Sequence, residues 1–99
     1  MLKNKTAVVT GANGGIGIEI VKLFYQNNAK VFACVRSEDE KLKKTIKELE
    51  KNSSNKIEII KLDLQSEDSV KKAANEIIRL TESVDILVNN AGTILTSSF

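Results

Sequence analysis

Short apolar runs alternate along this chain with longer segments in which apolar residues recur every three or four positions. The runs are typical of strands buried on both faces of a sheet, and the longer segments are typical of amphipathic helices. Only a few polar or glycine residues separate one segment from the next, and proline is absent. We therefore predict strands at 5–10, 30–35, 57–62 and 85–89, and helices at 16–28, at 38–51 and after residue 66.

The spacing of apolar residues also predicts which face each helix buries. The residues predicted to face the core are Ile16, Ile20, Leu23 and Phe24 in the first helix, Leu42, Ile46 and Leu49 in the second, and Val70, Ala74, Ile77 and Thr81 in the third. Ser37 and Glu40 fit a capping box at the start of the second helix, and Ser66 fits the N-cap of the third.

The alternation of strands and helices predicts an α/β fold with a doubly wound parallel sheet, Rossmann-like, of about four strands and three helices. The 99 residues suffice for one small domain at most. Ligands of such sheets bind at the carboxyl ends of the strands, beside the point where the strand order reverses. The loops predicted at that edge contain a glycine-rich turn, Arg36, Asp63 and residues 89–92. We therefore expect a single binding site assembled from four loops.

The glycine-rich turn reads TGANGGIG from residue 10 to residue 17. It joins a predicted strand to a predicted helix, which is the setting that a dinucleotide-binding turn requires. Glycines let a pyrophosphate approach bare backbone N–H groups at a helix N-terminus, where the helix dipole adds about half a positive charge. By itself, the turn would also fit a tight strand-to-helix connection without a ligand.

Composition excludes several other kinds of site. The net charge of +2 and the aromatic content of 4% provide neither a basic surface nor a stacking platform for nucleic acids. Histidine is absent and Cys34 is the only cysteine, so His/Cys metal sites and Ser-His or Cys-His catalysis cannot form. No apolar stretch approaches the ~18 residues of a membrane span, and residues 1–5 do not resemble a signal peptide. We expect a cytoplasmic protein that binds neither membranes nor nucleic acids.

Two motifs resemble those of the short-chain dehydrogenase/reductase family. One is the TGANGGIG turn, and the other is VDILVNNAG at residues 84–92, which contains that family's Asn-Asn-Ala-Gly signature. The resemblance covers the chain but only the first, cofactor-binding part of that family's domain. The cofactor-binding residues that it implies are Gly11, Asn13, Gly14, Gly15, Ile16, Gly17, Arg36, Asp63, Leu64, Asn90, Ala91 and Gly92.

The resemblance also implies a role for most of these residues. The glycines would form the pyrophosphate turn, Asp63 would bond the adenine amino group, and Leu64 would lie along the adenine ring. Residues 90–92 would line the adenosine ribose. Thr10 and Asn89 would be structural, linking the turn to the end of the fourth strand.

Charge at the end of the second strand bears on the choice of cofactor. NAD-specific sites place an acid there, where it bonds the ribose hydroxyls and repels a 2′-phosphate. Here Val35 occupies that position and Arg36 follows it, and arginine pairs well with phosphate. The second basic residue that the family often carries in the turn is replaced by Gly14. We predict NADP, with NAD as the less favoured cofactor.

The family's chemistry depends on a Tyr-x-x-x-Lys pair that this chain does not supply. Its only tyrosine is Tyr25, and Ala29 stands four residues later. Seven residues follow Gly92, too few to reach the family's catalytic helix. The last strand would also be a bare, apolar edge. We therefore predict no catalytic residue, and we expect residues 1–99 to be the N-terminal part of a Rossmann-type domain, from a truncated record or product.

The main hypothesis is the cofactor-binding half of an NADP-dependent oxidoreductase, similar to 3-oxoacyl-[acyl-carrier-protein] reductases and inactive as this chain alone. The full-length protein would act on a small-molecule carbonyl or alcohol and would form a homo-oligomer. Two alternatives stay open. One is a non-catalytic nucleotide-binding or interaction module, and the other is a remnant without function.

Overall fold

The computed structural model describes residues 2–51 and 53–90, in which strands and helices alternate throughout. The strands are β1 (Thr6–Thr10), β2 (Lys30–Val35), β3 (Ile57–Lys61) and β4 (Ile86–Asn89), and the helices are α1 (Gly15–Gln26), α2 (Glu40–Glu50) and α3 (Glu67–Leu80). The predicted strand bounds agree with these within one residue, and the predicted helix bounds agree within two.

The strands of the described residues form one parallel sheet in the order β3-β2-β1-β4. β1 lies between β2 and β4, and its last residue, Thr10, is level with Cys34 on one side and Asn89 on the other. The chain moves outward through β2 and β3 on one side of β1 and then returns to place β4 on the other side. The doubly wound α/β architecture is therefore confirmed, and its switch point lies between the carboxyl ends of β1 and β4.

Two cores cover the two faces of the sheet, and successive residues of β2 alternate between them. Val31, Ala33 and Val35 pack in the core beneath α1 and α2, whereas Phe32 and Cys34 pack in the core beneath α3. This alternation follows from the two-residue period of a strand. Because β2 is buried on both faces, its sequence is apolar at nearly every position, as the sequence pattern predicted.

The face that α1 buries differs from the predicted one. Ile16 and Leu23 are exposed, at 68% and 58% of their surface, and Ile20 and Phe24 are only partly buried. The buried positions are Gly17, Ile18, Val21 and Tyr25. The prediction was wrong for Ile16 and Leu23, whereas Ile20 and Phe24 do pack against the core beneath α1. Because α1 carries apolar residues on more than one side, spacing alone does not select a face. The missing side chain of Gly17 decides it, since only that face can approach the preceding turn closely.

The start of α2 also differs from the predicted capping box. Asp39 is the N-cap, and its side chain accepts a hydrogen bond from the backbone N–H of Leu42. The helix therefore begins two residues later than expected, and Ser37 and Glu40 do not form the box. A carboxylate at this position satisfies a free helix N–H and complements the helix dipole, which accounts for the shift.

The N-cap of α3 is as predicted, and its buried face agrees with the prediction at Ile77 only. The Ser66 hydroxyl accepts a hydrogen bond from the Ser69 N–H at 3.1 Å. Ala73 is the buried residue of α3, with Ile77 and Leu80 packed against the same core. Ala74 is exposed instead, because the contact stripe passes one residue earlier than predicted.

Candidate functional site

The loops that were predicted from the sequence to form a binding site lie at the carboxyl ends of the parallel strands. The turn at residues 11–14 follows β1, Arg36 follows β2, Asp63 follows β3 by two residues, and Asn90 follows β4. Ala91 and Gly92, also predicted to bind the cofactor, lie outside the described residues. The parallel arrangement thus brings four loops to one edge of the sheet, around its switch point.

Two glycines of the turn are required by the fold itself. Gly11 has a φ of 61°, a left-handed conformation that favours glycine. At Gly17, an added Cβ would lie 2.2 Å from the Gly11 carbonyl oxygen and 2.9 Å from the Ala12 Cα. These backbone atoms cannot move without displacing the turn, so Gly17 permits the close packing of α1 against it.

The other two glycines of the turn are not required by the fold. A Cβ on Gly15 would meet nothing within 4 Å, and one on Gly14 would make only ordinary contacts with the Gly11 carbonyl oxygen and the Asn90 side chain. Neither residue has a positive φ, and both are exposed. The backbone at Gly14 and Gly15 is therefore accessible from outside, at the start of α1.

The N-terminus of α1 lacks the side-chain cap that α2 and α3 have. Gly14 is its N-cap residue and supplies no side-chain hydrogen bond, and the first turn carries no acidic residue. By contrast, Asp39 caps α2 and Ser66 caps α3. The first-turn N–H groups of a helix attract anions, both as donors and through the helix dipole. The exposed glycines therefore lead to a helix end whose N–H groups have no side-chain acceptor at the cap.

Polar side chains tie the turn to the end of β4. The Thr10 hydroxyl donates to the Asn89 carboxamide oxygen and accepts from the Asn90 N–H, each at 3.0 Å. The Asn90 side chain then donates to the Gly11 carbonyl oxygen at 3.2 Å. The structural link expected between Thr10 and Asn89 is present. Asn90, expected to line a ribose, also holds the turn in place, which the sequence analysis did not foresee.

Asp63 and Leu64 occupy the loop after β3. One carboxylate oxygen of Asp63 accepts from the Gln65 N–H at 3.0 Å, and the Asp63 N–H donates to the Ser69 hydroxyl at 2.9 Å. The first bond holds the Asp63 carboxylate against the backbone of its own loop, and the second ties the Asp63 backbone to α3. Leu64 is 49% exposed, an apolar surface at the edge where ligands of this fold bind.

Sequence reasoning missed a contact between the turn and α2. The Asn13 side chain donates a hydrogen bond to the Asp39 carboxylate at 3.3 Å. The bonds from the Leu42 N–H and from Asn13 both hold the pKa of Asp39 below its usual value, since each favours the ionised carboxylate. No sequence signal joins these two residues, which stand 26 positions apart.

Comparison with known proteins decides the family. The family model "short chain dehydrogenase" matches residues 5–99. The chain belongs to this family. Dehydrogenase/reductase SDR family member 7B of Xenopus tropicalis is 41% identical to it over 96 residues, which cover 92% of this chain and 31% of that protein. The chain thus spans about a third of the length of this short-chain dehydrogenase relative.

Solved structures of short-chain dehydrogenases share the fold. A metagenomic short-chain oxidoreductase, solved in complex with NADP, has a TM-score of 0.81 and 33% identity, covering 92% of this chain and 40% of that one. RhlG of Pseudomonas aeruginosa, solved as an NADP active-site complex, has a TM-score of 0.76 and 34% identity, covering 97% and 38%. The family resemblance and the Rossmann-like fold are both confirmed.

The one tyrosine of this short-chain dehydrogenase chain has a structural position. Tyr25 is buried in the core beneath α1, and its hydroxyl donates to the Asn55 carbonyl oxygen at 2.8 Å. It thereby links α1 to the loop before β3 and stands away from the carboxyl edge of the sheet. Among the helices in the part of the chain that the structure describes, none has the length and apolar content to cross a bilayer.

Proposed function

We propose that the chain is the NADP-binding part of a short-chain oxidoreductase, and that the carboxyl edge of its sheet holds the cofactor. The residues that would hold it are Gly11, Asn13, Gly14, Gly15, Ile16, Gly17, Arg36, Asp63, Leu64, Asn90, Ala91 and Gly92. Bound nicotinamide would donate a hydride to a carbonyl when reduced, or accept one from an alcohol when oxidised. The residues of this chain bind and orient the cofactor.

The observation that carries the proposal is the contrast among the glycines. Gly11 and Gly17 are explained by the fold, through a positive φ and a close backbone approach. Gly15 has neither, and the space that its Cβ would occupy is open. A pyrophosphate bound to the α1 N-terminus needs that space to reach the backbone N–H groups, and a side chain there would obstruct it.

Arg36 supports NADP rather than NAD. Its side chain is exposed directly after β2, and Val35 precedes it at the position where family members specific for NAD place an acid. A guanidinium can form a bidentate pair with a 2′-phosphate, whereas a free 2′-hydroxyl offers it no charge. NADP is also the cofactor in the solved complexes of the metagenomic oxidoreductase and of RhlG.

The reaction of the complete protein follows as part of this proposal. The complete protein would reduce a small carbonyl compound or oxidise an alcohol. Its catalytic groups would lie outside residues 1–99, and it would form a homo-oligomer. We place the protein in the cytoplasm, where the lone and buried Cys34 stays reduced. On this basis the 99-residue chain binds the cofactor without turnover.

The test is the binding of NADPH to the chain and to Gly15→Ala. Titration calorimetry should show NADPH binding to the wild type, and Gly15→Ala should weaken it at least tenfold. The same variant should keep or raise thermal stability, because alanine suits the first turn of a helix and has room there. A wild-type chain that folds and binds neither NADPH nor NADH would contradict the proposal. Equal binding by wild type and Gly15→Ala would contradict the assigned role of the turn.

A further inference from the structure

The cofactor turn is anchored to three different elements. The Ala12 N–H donates to the Cys34 carbonyl oxygen of β2 at 3.1 Å, and the Asn90 side chain donates to the Gly11 carbonyl oxygen at 3.2 Å. The third anchor is the bond from the Asn13 side chain to the Asp39 carboxylate. The first two hold the base of the turn, and the third reaches from the turn to the start of α2.

Asp39 uses its two carboxylate oxygens for two different partners. Oδ1 accepts from the Leu42 N–H at 3.0 Å and caps α2, while Oδ2 accepts from Asn13 Nδ2 at 3.3 Å. A helix cap needs only one side-chain oxygen, and serine provides one. The second oxygen therefore connects the cap of α2 to the turn.

Such a connection matters for a turn that contains exposed glycines. Gly14 and Gly15 follow Asn13 directly, and glycine has more conformations to lose than any other residue when a ligand fixes the backbone. An anchor on the residue before them restricts these conformations before the ligand arrives. Part of the ordering cost of binding is then met in the free protein, which raises affinity.

We infer that Asp39 is a positioning residue, which holds the cofactor turn in its binding conformation through Asn13. This inference rests on the proposed function of the turn. Asp39 acts through Asn13 and is assigned no contact with the cofactor. It adds to the expected site the N-cap residue of α2, four positions beyond the end of β2.

A competing role for Asp39 makes a different prediction. If the carboxylate acted mainly by its charge, it would repel the 2′-phosphate of NADPH, and its removal would strengthen NADPH binding while leaving NADH binding unchanged. A positioning role affects the turn that both cofactors share. Removal of the second oxygen should then weaken the binding of both cofactors by the same factor.

The variant that separates these roles is Asp39→Ser. Serine keeps the cap on the Leu42 N–H but provides no second oxygen for Asn13. Asn13→Ala removes the same bond from its other end. Glu38→Gln is the matched control, since it removes the neighbouring carboxylate, which pairs with Lys43 and has no bond to the turn. Titration calorimetry with NADPH and with NADH measures all variants.

We expect Asp39→Ser to weaken the binding of both cofactors about three- to tenfold, as the loss of one hydrogen bond implies. Asn13→Ala should weaken it at least as much, because Asn13 is itself among the residues proposed to hold the cofactor. The double variant should bind no more weakly than Asn13→Ala alone, because Asn13→Ala has already removed the bond through which Asp39 acts. Glu38→Gln should leave the binding of both cofactors unchanged. In NMR spectra of the cofactor-free protein, the signal of the Asn13 side-chain amide should shift in Asp39→Ser and stay unchanged in Glu38→Gln.

Three results would overturn the inference. Wild-type affinity in Asp39→Ser would remove the positioning role and leave the proposed function intact. Tighter NADPH binding by Asp39→Ser, with unchanged NADH binding, would assign Asp39 to charge repulsion. Absence of binding by the folded wild-type chain would overturn the proposed function, and the inference with it.

Discussion

The Thr10 hydroxyl donates a hydrogen bond to the Asn89 carboxamide oxygen at 3.0 Å, joining the ends of two strands 79 positions apart in sequence. The same hydroxyl accepts from the Asn90 N–H at 3.0 Å. Thr10 is 5% exposed, so its replacement leaves these partners beside a buried apolar group. We expect Thr10→Val to lower the free energy of unfolding by about 1–3 kcal/mol, measured by urea denaturation.

Thr10→Ser is the matched control for this change. Serine keeps the hydroxyl and its bonds and loses only a methyl group, which contributes about 1 kcal/mol when buried. Thr10→Val should therefore be the less stable of the two variants. Wild-type stability in Thr10→Val would mean that the link between β1 and β4 contributes little.

Gly17→Ala should destabilise the fold strongly. The added Cβ would lie 2.2 Å from the Gly11 carbonyl oxygen and 3.0 Å from the Asn90 side-chain nitrogen. Either α1 moves outward or the turn is displaced, and overpacking of this kind typically costs about 1–3 kcal/mol and in some cases more. Chemical denaturation followed by circular dichroism measures the loss.

The control for Gly17→Ala is Gly15→Ala, two residues away in the same helix. A Cβ on Gly15 meets nothing within 4 Å, and alanine favours the helix over glycine by up to about 1 kcal/mol. Its stability should equal or exceed that of the wild type. A similar loss of stability in both variants would show that the two glycines do not have the different roles assigned to them.

The order of the elements was predictable because strand and helix patterns here have different periods and short loops separate them. The buried face of α1 was not predictable in the same way, since Ile16, Ile20 and Leu23 are as apolar as the residues that α1 buries. The choice was made by Gly17, which lets one face approach the turn. A glycine in a helix that must pack against a turn is thus a better guide to its buried face than apolar spacing.

The loops that form the candidate site were predictable from the sequence, but the hydrogen bonds between those loops were not. Glycine spacing and the Asn-Asn pair at residues 89–90 carry the family pattern, so sequence located the turn and the end of β4. The bond between Asn13 and Asp39 depends on where α2 begins, and that start was displaced by two residues. A contact across 26 positions requires the fold and cannot be inferred from either residue alone.

Arg36 should set the preference for the phosphorylated cofactor. We expect Arg36→Ala to weaken NADPH binding about 10- to 100-fold, because hydrogen bonds to charged groups contribute about 1.5–3 kcal/mol. NADH binding should change less than threefold, since NADH has no 2′-phosphate. Titration calorimetry with both cofactors gives the ratio of NADPH affinity to NADH affinity.

Arg36→Lys separates charge from geometry at the same position. Lysine keeps the charge and loses the bidentate fork, so its NADPH affinity should lie between those of the wild type and Arg36→Ala. An unchanged ratio of NADPH to NADH affinity in Arg36→Ala would assign cofactor preference to another residue.

Burial raises the pKa of the Cys34 thiol to about 11, from 9.0 for an exposed thiol. Between about pH 9 and pH 11, the thiol of the unfolded chain has lost its proton while that of the folded chain retains it. Stability is therefore lost as pH rises from about 9 to 11, by up to about 1.4 kcal/mol for each pH unit. Cys34→Ala removes this titration, so the free energy of unfolding of that variant should fall less steeply over the same pH range. Parallel losses in wild type and Cys34→Ala, measured by urea denaturation, would show that the thiol ionises equally well in the folded core.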